Sequence, residues 1–266
     1  MKMSVIAAAV LSGAMLAACT AGQADTDSVA FENITLQSDY RLVGSAADYE
    51  SDVDLAVQCS VDLMMPENVY NHDITSLRDS IMSIAVDTVG RAEAATFRTA
   101  FARQAESLGY AVADTTLADG NYDGLFSADG KVEALTNCTL SYAITVANYY
   151  PRAAHGMYVT RYVNYDIRRG QLFSLSDIIT PEGLAALPAI LRQTGRSMSG
   201  FIGPTSITAI PDGGNFYVNC NDELVFVYQP YEVASYAQGI IAIPVDAYRL
   251  SDYFTPYGTK LLMDKE

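Results

Sequence analysis

The 266-residue sequence has only two histidines, His72 and His155, far apart and without the i, i+4 partner that a zinc site on a helix needs. Metal-assisted hydrolysis of that kind is thereby excluded. It also lacks a Gly-x-Ser-x-Gly elbow, a P-loop and a dinucleotide fingerprint, so serine hydrolysis and nucleotide chemistry have no scaffold of the usual form. Cations are scarce, with 16 lysines and arginines against 31 acids and a net charge of −15. Such a chain repels nucleic acid and bare anionic bilayers, and it steers a cationic protein or peptide toward itself. The same charge also serves plain solubility.

Long hydrophobic runs are limited to one, from Val5 to Ala18, which is too short to cross a hydrocarbon layer of about 30 Å. It follows Met1-Lys2-Met3 and leads into Leu16-Ala17-Ala18-Cys19, the pattern of a lipoprotein export signal. Residues 1–18 are therefore expected to be removed, with Cys19 carrying the lipid, palmitate included, and holding the protein to a membrane of the cell envelope. Removal takes away Lys2 and makes the exported chain more acidic still. Residues 19–28, rich in Thr, Gly, Gln, Asp and Ser, read as a flexible tether. Beyond Cys19 the remaining cysteines are Cys59, Cys138 and Cys220, an odd number in strand-like apolar runs. That setting suits buried, unreactive thiols, with at most one bridge among them.

Half the residues are apolar, enough for one large or two small cores. Residues 29–43 read as strand. Val53, Leu55, Val57, Cys59, Val61 and Leu63 alternate with Asp54, Gln58, Ser60 and Asp62, which predicts a strand with one wet face ending at Pro66. Asn71-His72-Asp73 then precedes a helical stripe of Ile74, Leu77, Ile81 and Ile84, and Phe97, Phe101, Ala105 and Leu108 form a second. Val132–Val146 and Met157–Ile167 return to strand periodicity. Thr180-Pro181-Glu182 is a helix start, with a kink expected at Pro188. A hairpin is expected around Asn219-Cys220-Asn221-Asp222, then a last strand ending at Pro244, a short helix over Val245–Phe254 and a loose tail after Pro256. The expected class is α+β, antiparallel sheets with packed helices, in two small sheet-and-helix subdomains of residues 29–150 and 151–266.

One stretch is not explained by periodic burial. Tyr228-Gln229-Pro230-Tyr231-Glu232-Val233-Ala234-Ser235-Tyr236-Ala237-Gln238-Gly239 spaces three tyrosines around one glutamate. Two readings stand. The rings and the carboxylate form a corner between strands, or Tyr228, Tyr231, Glu232, Tyr236 and Gly239, with His155, present an aromatic and acidic contact surface. Asp119-Gly120-Asn121-Tyr122-Asp123-Gly124 has oxygen ligands at positions 1, 3 and 5 and glycine at 6, so Asp119, Asn121 and Asp123 are candidate calcium ligands. Position 12 is Gly130 rather than a glutamate. No other cofactor is expected. Glu232 and Asp177 are the acids that a polysaccharide-processing enzyme would use, since paired carboxylates suffice for glycoside hydrolysis.

Three local patterns carry a resemblance: Ala154-His155-Gly156 with the tyrosine-rich strand through Tyr165-Asp166-Ile167, Leu175-Ser176-Asp177-Ile178, and the Tyr228–Gly239 stretch. Together they resemble the domain of unknown function shared by the ectodomain of the anti-sigma factor RsiV, a lysozyme receptor, by the deacetylase PdaC outside its catalytic domain, and by Bacteroidota lipoproteins. Residues 29–150 resemble the companion N-terminal module of those proteins. Where the family usually has two glycines before Ala-His, this chain has Arg152 and Ala153. The resemblance implies an α+β fold and an envelope binding role toward lysozyme-like cationic proteins or peptidoglycan-related ligands, and it implies no settled biochemical activity. A structural lipoprotein with no ligand is the remaining alternative.

Overall fold

A computed structural model describes residues 29–44, 53–87, 91–107, 111–113, 122–149, 153–198 and 206–264. The expected lipidation site Cys19, the tether, and Asp119 and Asn121 lie outside the described residues.

Strand β1 (Val29–Gly44) pairs antiparallel along its whole length with β2 (Val53–Val69). The period-two pattern decides the faces. Val57, Cys59, Val61, Leu63 and Met65 are buried while Asp62 on the opposite face is exposed. β2 does not stop at Pro66. The missing N–H is tolerated because β4 pairs with β2 only as far as Leu63, and because the β1 register shifts at Glu67, directly after Pro66.

Helices α1 (Thr75–Val86) and α2 (Ala94–Ser107) follow. Leu77, Ile81, Met82 and Ala85 form the buried stripe of α1. Each fully buried aliphatic side chain there contributes roughly 1.5–3 kcal/mol of transfer free energy. Asp73 fixes the entry by accepting hydrogen bonds from the Thr75 backbone N–H (3.0 Å) and hydroxyl (2.7 Å). His72 donates from Nε2 to the Ile167 carbonyl at 3.0 Å, which assigns it a structural role.

A short strand β3 (Ala111–Ala113) pairs with the end of β1, and β4 (Gly124–Leu135) pairs parallel to β2. The expected single strand over Val132–Val146 is two. Thr136 Oγ1 accepts from the backbone N–H groups of Cys138 (3.1 Å) and Thr139 (2.9 Å), closing a tight turn into β5 (Thr139–Tyr149). β6 (Met157–Asp166) and the short β7 (Gln171–Leu172) complete a seven-stranded sheet in the order β3-β1-β2-β4-β5-β6-β7. β5 and β6 flank the expected division at residues 150 and 151, yet they pair from Thr139–Asp166 to Asn148–Met157. The sheet therefore runs across that division.

The apolar side chains divide later in the chain. One core gathers residues from Val29 to Ile167 around α1 and the sheet, and the other gathers residues from Phe173 to Leu262. The second is built by α3 (Leu175–Ile178), α4 (Pro181–Ser197), α5 (Pro256–Leu262) and a three-stranded antiparallel sheet, β10-β9-β8, of β8 (Phe216–Val218), β9 (Glu223–Tyr228) and β10 (Ile241–Asp246). α4 starts as expected, with Thr180 accepting from the Gly183 N–H, but it continues through Pro188 and buries Leu187 and Leu191. β10 likewise runs through Pro244, which it can do as an edge strand. Residues 247–253 form a 3-10 turn, and the expected loose tail is α5, capped by Thr255 and anchored by Leu261 and Leu262. The result is an α+β fold of mostly antiparallel sheets.

Candidate functional site

The Tyr228–Gly239 stretch begins where β9 ends, and its first residues join the two sheets. Gln229 is 5% exposed and its side-chain amide behaves like a piece of strand. Its Oε1 accepts from the Thr160 N–H at 2.7 Å and its Nε2 donates to the Thr160 carbonyl at 2.8 Å. Buried Asn215 continues the pattern. Its Nδ2 donates to the Thr160 carbonyl (2.9 Å) and to the Val227 carbonyl (3.1 Å), and its Oδ1 accepts from the Tyr162 N–H (3.1 Å). Further along, Asn164 Nδ2 donates to the Phe216 carbonyl at 2.9 Å, and the Ser141 hydroxyl accepts from the Val218 N–H at 3.1 Å. Backbone groups on the outer edge of β6 that would otherwise be orphaned are thus satisfied by side-chain amides of the second sheet.

Glu232 belongs to the same junction. One carboxylate oxygen accepts from the Asp212 N–H at 2.8 Å and the other from the Gln229 N–H. Tyr228 is buried, donates from its hydroxyl to the Ala209 carbonyl at 2.7 Å, and has its phenol pKa pushed above the usual value by burial and then by the charge of Glu232. Both side chains are bonded within the junction. Asp177 is equally committed, its Oδ2 accepting from the Ser174 N–H (2.7 Å) and hydroxyl (2.6 Å) in a capping box at α3. Both carboxylates are thus engaged with backbone or capping donors of their own segment or its neighbour.

The rest of the stretch turns outward. Tyr231 has φ +73°, in the left-handed region where a non-glycine residue is strained, and it is 57% exposed, so burial of its ring does not offset that cost. Its ring leans on Tyr236 with centroids 5.7 Å apart. On Tyr236, His155 stacks at 4.4 Å and Tyr158 meets it edge-on at 6.0 Å. Hydrogen bonds fix the group. Tyr236 donates its hydroxyl to the Gly156 carbonyl at 2.7 Å. His155 Nδ1 lies 2.9 Å from the same carbonyl; because a carbonyl only accepts, the proton is on Nδ1, and Nε2 faces the Tyr231 hydroxyl at 3.4 Å. Gly239, at φ +66°, passes under Tyr158, whose hydroxyl would lie 3.1 Å from a Cβ there.

The structure therefore brings Tyr231, Tyr236, His155 and Gly239 together as an aromatic patch and places Tyr228 and Glu232 behind it as support. Tyr158, Gln229, Asn215 and Thr160 were not among the expected site residues. Tyr158 lies in the aromatic run of β6, and its signal was the tyrosine spacing of that strand. The calcium-loop expectation meets a different geometry. Asp123 pins the start of β4, its N–H donating to the Ala56 carbonyl at 2.7 Å and its Oδ2 accepting from the Ala56 N–H at 2.9 Å, and from Gly124 onward the chain is strand rather than a wrapping loop. Among the described residues no three His, Cys, Asp or Glu side chains are placed to hold a metal ion. A cavity of about 460 Å³ lies on the open face of the large sheet, where Asp62 and Asp129 are register neighbours. Burial and then the Asp62 charge push the Asp129 pKa up. Cys59 is a buried free thiol and Cys138 a half-buried one, so neither is bridged.

Residues 176–247 match the family model described as Protein of unknown function (DUF3298). This DUF3298 segment contains the amide and carboxylate side of the junction, Asn215, Gln229 and Glu232, while its partner Thr160 lies in β6 outside the match. The crystal structure of a DUF3298 family member from Bacteroides fragilis NCTC 9343 shares the fold, with a TM-score of 0.64 at 18% identity over 90% of this chain and 99% of that one. A DUF3298 family protein from Pseudomonas aeruginosa PAO1 aligns with a TM-score of 0.49 at 13% identity, over 85% and 95% of the two chains. No curated protein matches the chain.

Proposed function

We propose that the protein is a non-enzymatic, lipid-anchored binding protein of the cell envelope, held at Cys19, whose contact surface is the patch of Tyr231, Tyr236, His155 and Tyr158. The carrying observation is Tyr231, a strained, exposed aromatic residue whose ring is held by other aromatic rings rather than by a core. Aromatic residues of this kind are the usual anchors of protein interfaces. The net charge of −15 favours a cationic partner, and exposed rings add cation–π attraction for its arginines and lysines. Lysozyme-like cationic proteins are the leading ligand class, with cell-wall components the other. The engagement of Glu232 and Asp177 with backbone and capping groups leaves the enzymatic alternative without an observation in its favour. Affinity capture with lysozyme as probe, beside an unrelated protein of equal charge, tests the reading. Preferential retention of lysozyme, lost in Tyr231→Gly, supports it, and equal retention of both proteins counts against it.

A further inference from the structure

On the open face of the seven-stranded sheet, strand register lines the side chains up in rows. One row runs Thr35, Asp62, Asp129, Thr145 and Thr160 from β1 to β6, and the next runs Gln37, Ser60, Ser127, Ala147 and Tyr158. The second row therefore ends in the aromatic patch, while the cavity of about 460 Å³ lies on the first. Asp129 and Tyr158 are two strands and two residues apart, roughly 12 Å by strand geometry. About four residues of extended chain cover that span. On a third row Ala143, which lines the cavity, is the register neighbour of Tyr162, whose ring stacks on Tyr217 at 4.6 Å. Like charges set directly opposite one another on neighbouring strands are destabilising. Asp62 and Asp129 hold that arrangement, and among the described residues no lysine or arginine pairs with either. Lys131, on the same rim, reaches Glu133 at 3.5 Å instead. Outside the described residues the only lysines and arginines are Lys2, Arg152 and Lys265.

We propose that this sheet face is a docking surface for a lysine- or arginine-rich segment of the cationic partner, with Asp62 and Asp129 taking its charged heads. Charge complementarity and continuity with the aromatic patch choose that occupant. The two carboxylates form the base of the contact, and their mutual repulsion is relieved when a cation lies between them. Met64 and Ala143, which also line the cavity, give the aliphatic stems of lysine and arginine an apolar surface to lie on. The Tyr162 and Tyr217 rings on one flank add cation–π attraction for the same heads. A partner that spans the roughly 12 Å to Tyr158 engages the acids and the patch at once. The inference rests on the reading of a cationic ligand and adds where its charge is received. It does not depend on that ligand being lysozyme.

Its test is fluorescence anisotropy of labelled hexalysine with the full chain at low ionic strength, beside lysozyme capture. Asp62→Asn combined with Asp129→Asn should weaken hexalysine binding by about tenfold or more, as the loss of close charge pairs at an interface does. Asparagine keeps an acceptor for the Thr35 hydroxyl, which donates to Asp62 Oδ1 at 3.2 Å, and it removes the repulsion, so the melting temperature should not fall. The single Asp129→Asn, an exposed change, should show the same loss at smaller size. Glu106→Gln combined with Asp252→Asn removes the same charge from exposed positions on α2 and on the 247–253 turn, and should change the affinity by less than about twofold. Equal losses in the two double variants, or no hexalysine binding by the parent, would overturn the proposal. Calcium that displaces hexalysine where sodium chloride of equal ionic strength does not would make a metal ion the occupant and overturn it too. The lysozyme arm keeps the two readings apart. Hexalysine binding that depends on Asp62 and Asp129, without lysozyme retention, supports this docking face and refutes that ligand class. Lysozyme retention indifferent to both aspartates overturns the docking face and leaves the patch reading standing.

Discussion

Replacing Gln229 by alanine should separate the two sheets more than any exposed change in the same stretch. The substitution removes two hydrogen bonds to Thr160. The Thr160 carbonyl keeps Asn215 as donor, but the Thr160 N–H is left buried and unpaired. An orphaned buried N–H costs about 1–3 kcal/mol, and truncating a buried side chain adds lost packing. A destabilisation of about 2–4 kcal/mol follows. For a chain of this size each kcal/mol shifts the melting midpoint by about 2–4 °C, so the midpoint should fall by roughly 4–16 °C. Differential scanning calorimetry reads the shift, and hydrogen exchange at Thr160 and Tyr162 should accelerate with it. If Gln229→Ala melts within about 1 °C of the parent, the amide is not a joint between the sheets, and the structural reading of the motif's first half fails.

Four further outcomes are expected. Glu232→Ala, leaving the Asp212 and Gln229 N–H groups without their acceptor, should lower stability by about 1–3 kcal/mol by denaturant titration. Gly258→Ala should be harsher, about 3 kcal/mol or more, because a Cβ there collides with the Ile178 carbonyl at the packed start of α5, and soluble yield would report it first. Tyr231→Gly should leave stability unchanged or raise it by about 1 kcal/mol, since glycine removes the strain of the positive φ while few packing contacts are lost. Burial and then the nearby Asp39 charge push the Cys59 thiol up from 9.0 to about 12. Its folded pKa exceeds the unfolded one, so the stability present below pH 9 is lost as pH rises toward about 12, and melting curves of Cys59→Ala should show a shallower alkaline decline.

Much of the fold was legible because alternation and helical stripes report burial directly. β2 and α1 were readable from Val57 to Leu63 and from Leu77 and Ile81 alone. Proline was over-read as a terminator. Pro66 and Pro244 sit where no ladder partner needs their N–H, and that depends on neighbouring strands rather than on local sequence. Thr255-Pro256 carries the same start signal as Thr180-Pro181, so α5 was visible in principle. The expected division at residues 150 and 151 falls between β5 and β6, which pair in one sheet, a long-range pairing that no local sequence signal announces. In the site, the motif stood out by composition, but its chemistry did not. Gln229 and Thr160 are 69 residues apart, and nothing local distinguishes a glutamine that mimics a strand from one that faces water.

Within Tyr228–Gly239 the proposed contact surface is separate from the joint between the sheets, and the affinity of Tyr231→Gly for lysozyme tests that separation most directly. A loss of about thirtyfold relative to the parent, the size of an interface hot spot, with an unchanged or slightly raised melting midpoint, is the predicted result. Parent-like affinity in Tyr231→Gly, or parent affinity no higher than for an unrelated protein of equal charge, would contradict it.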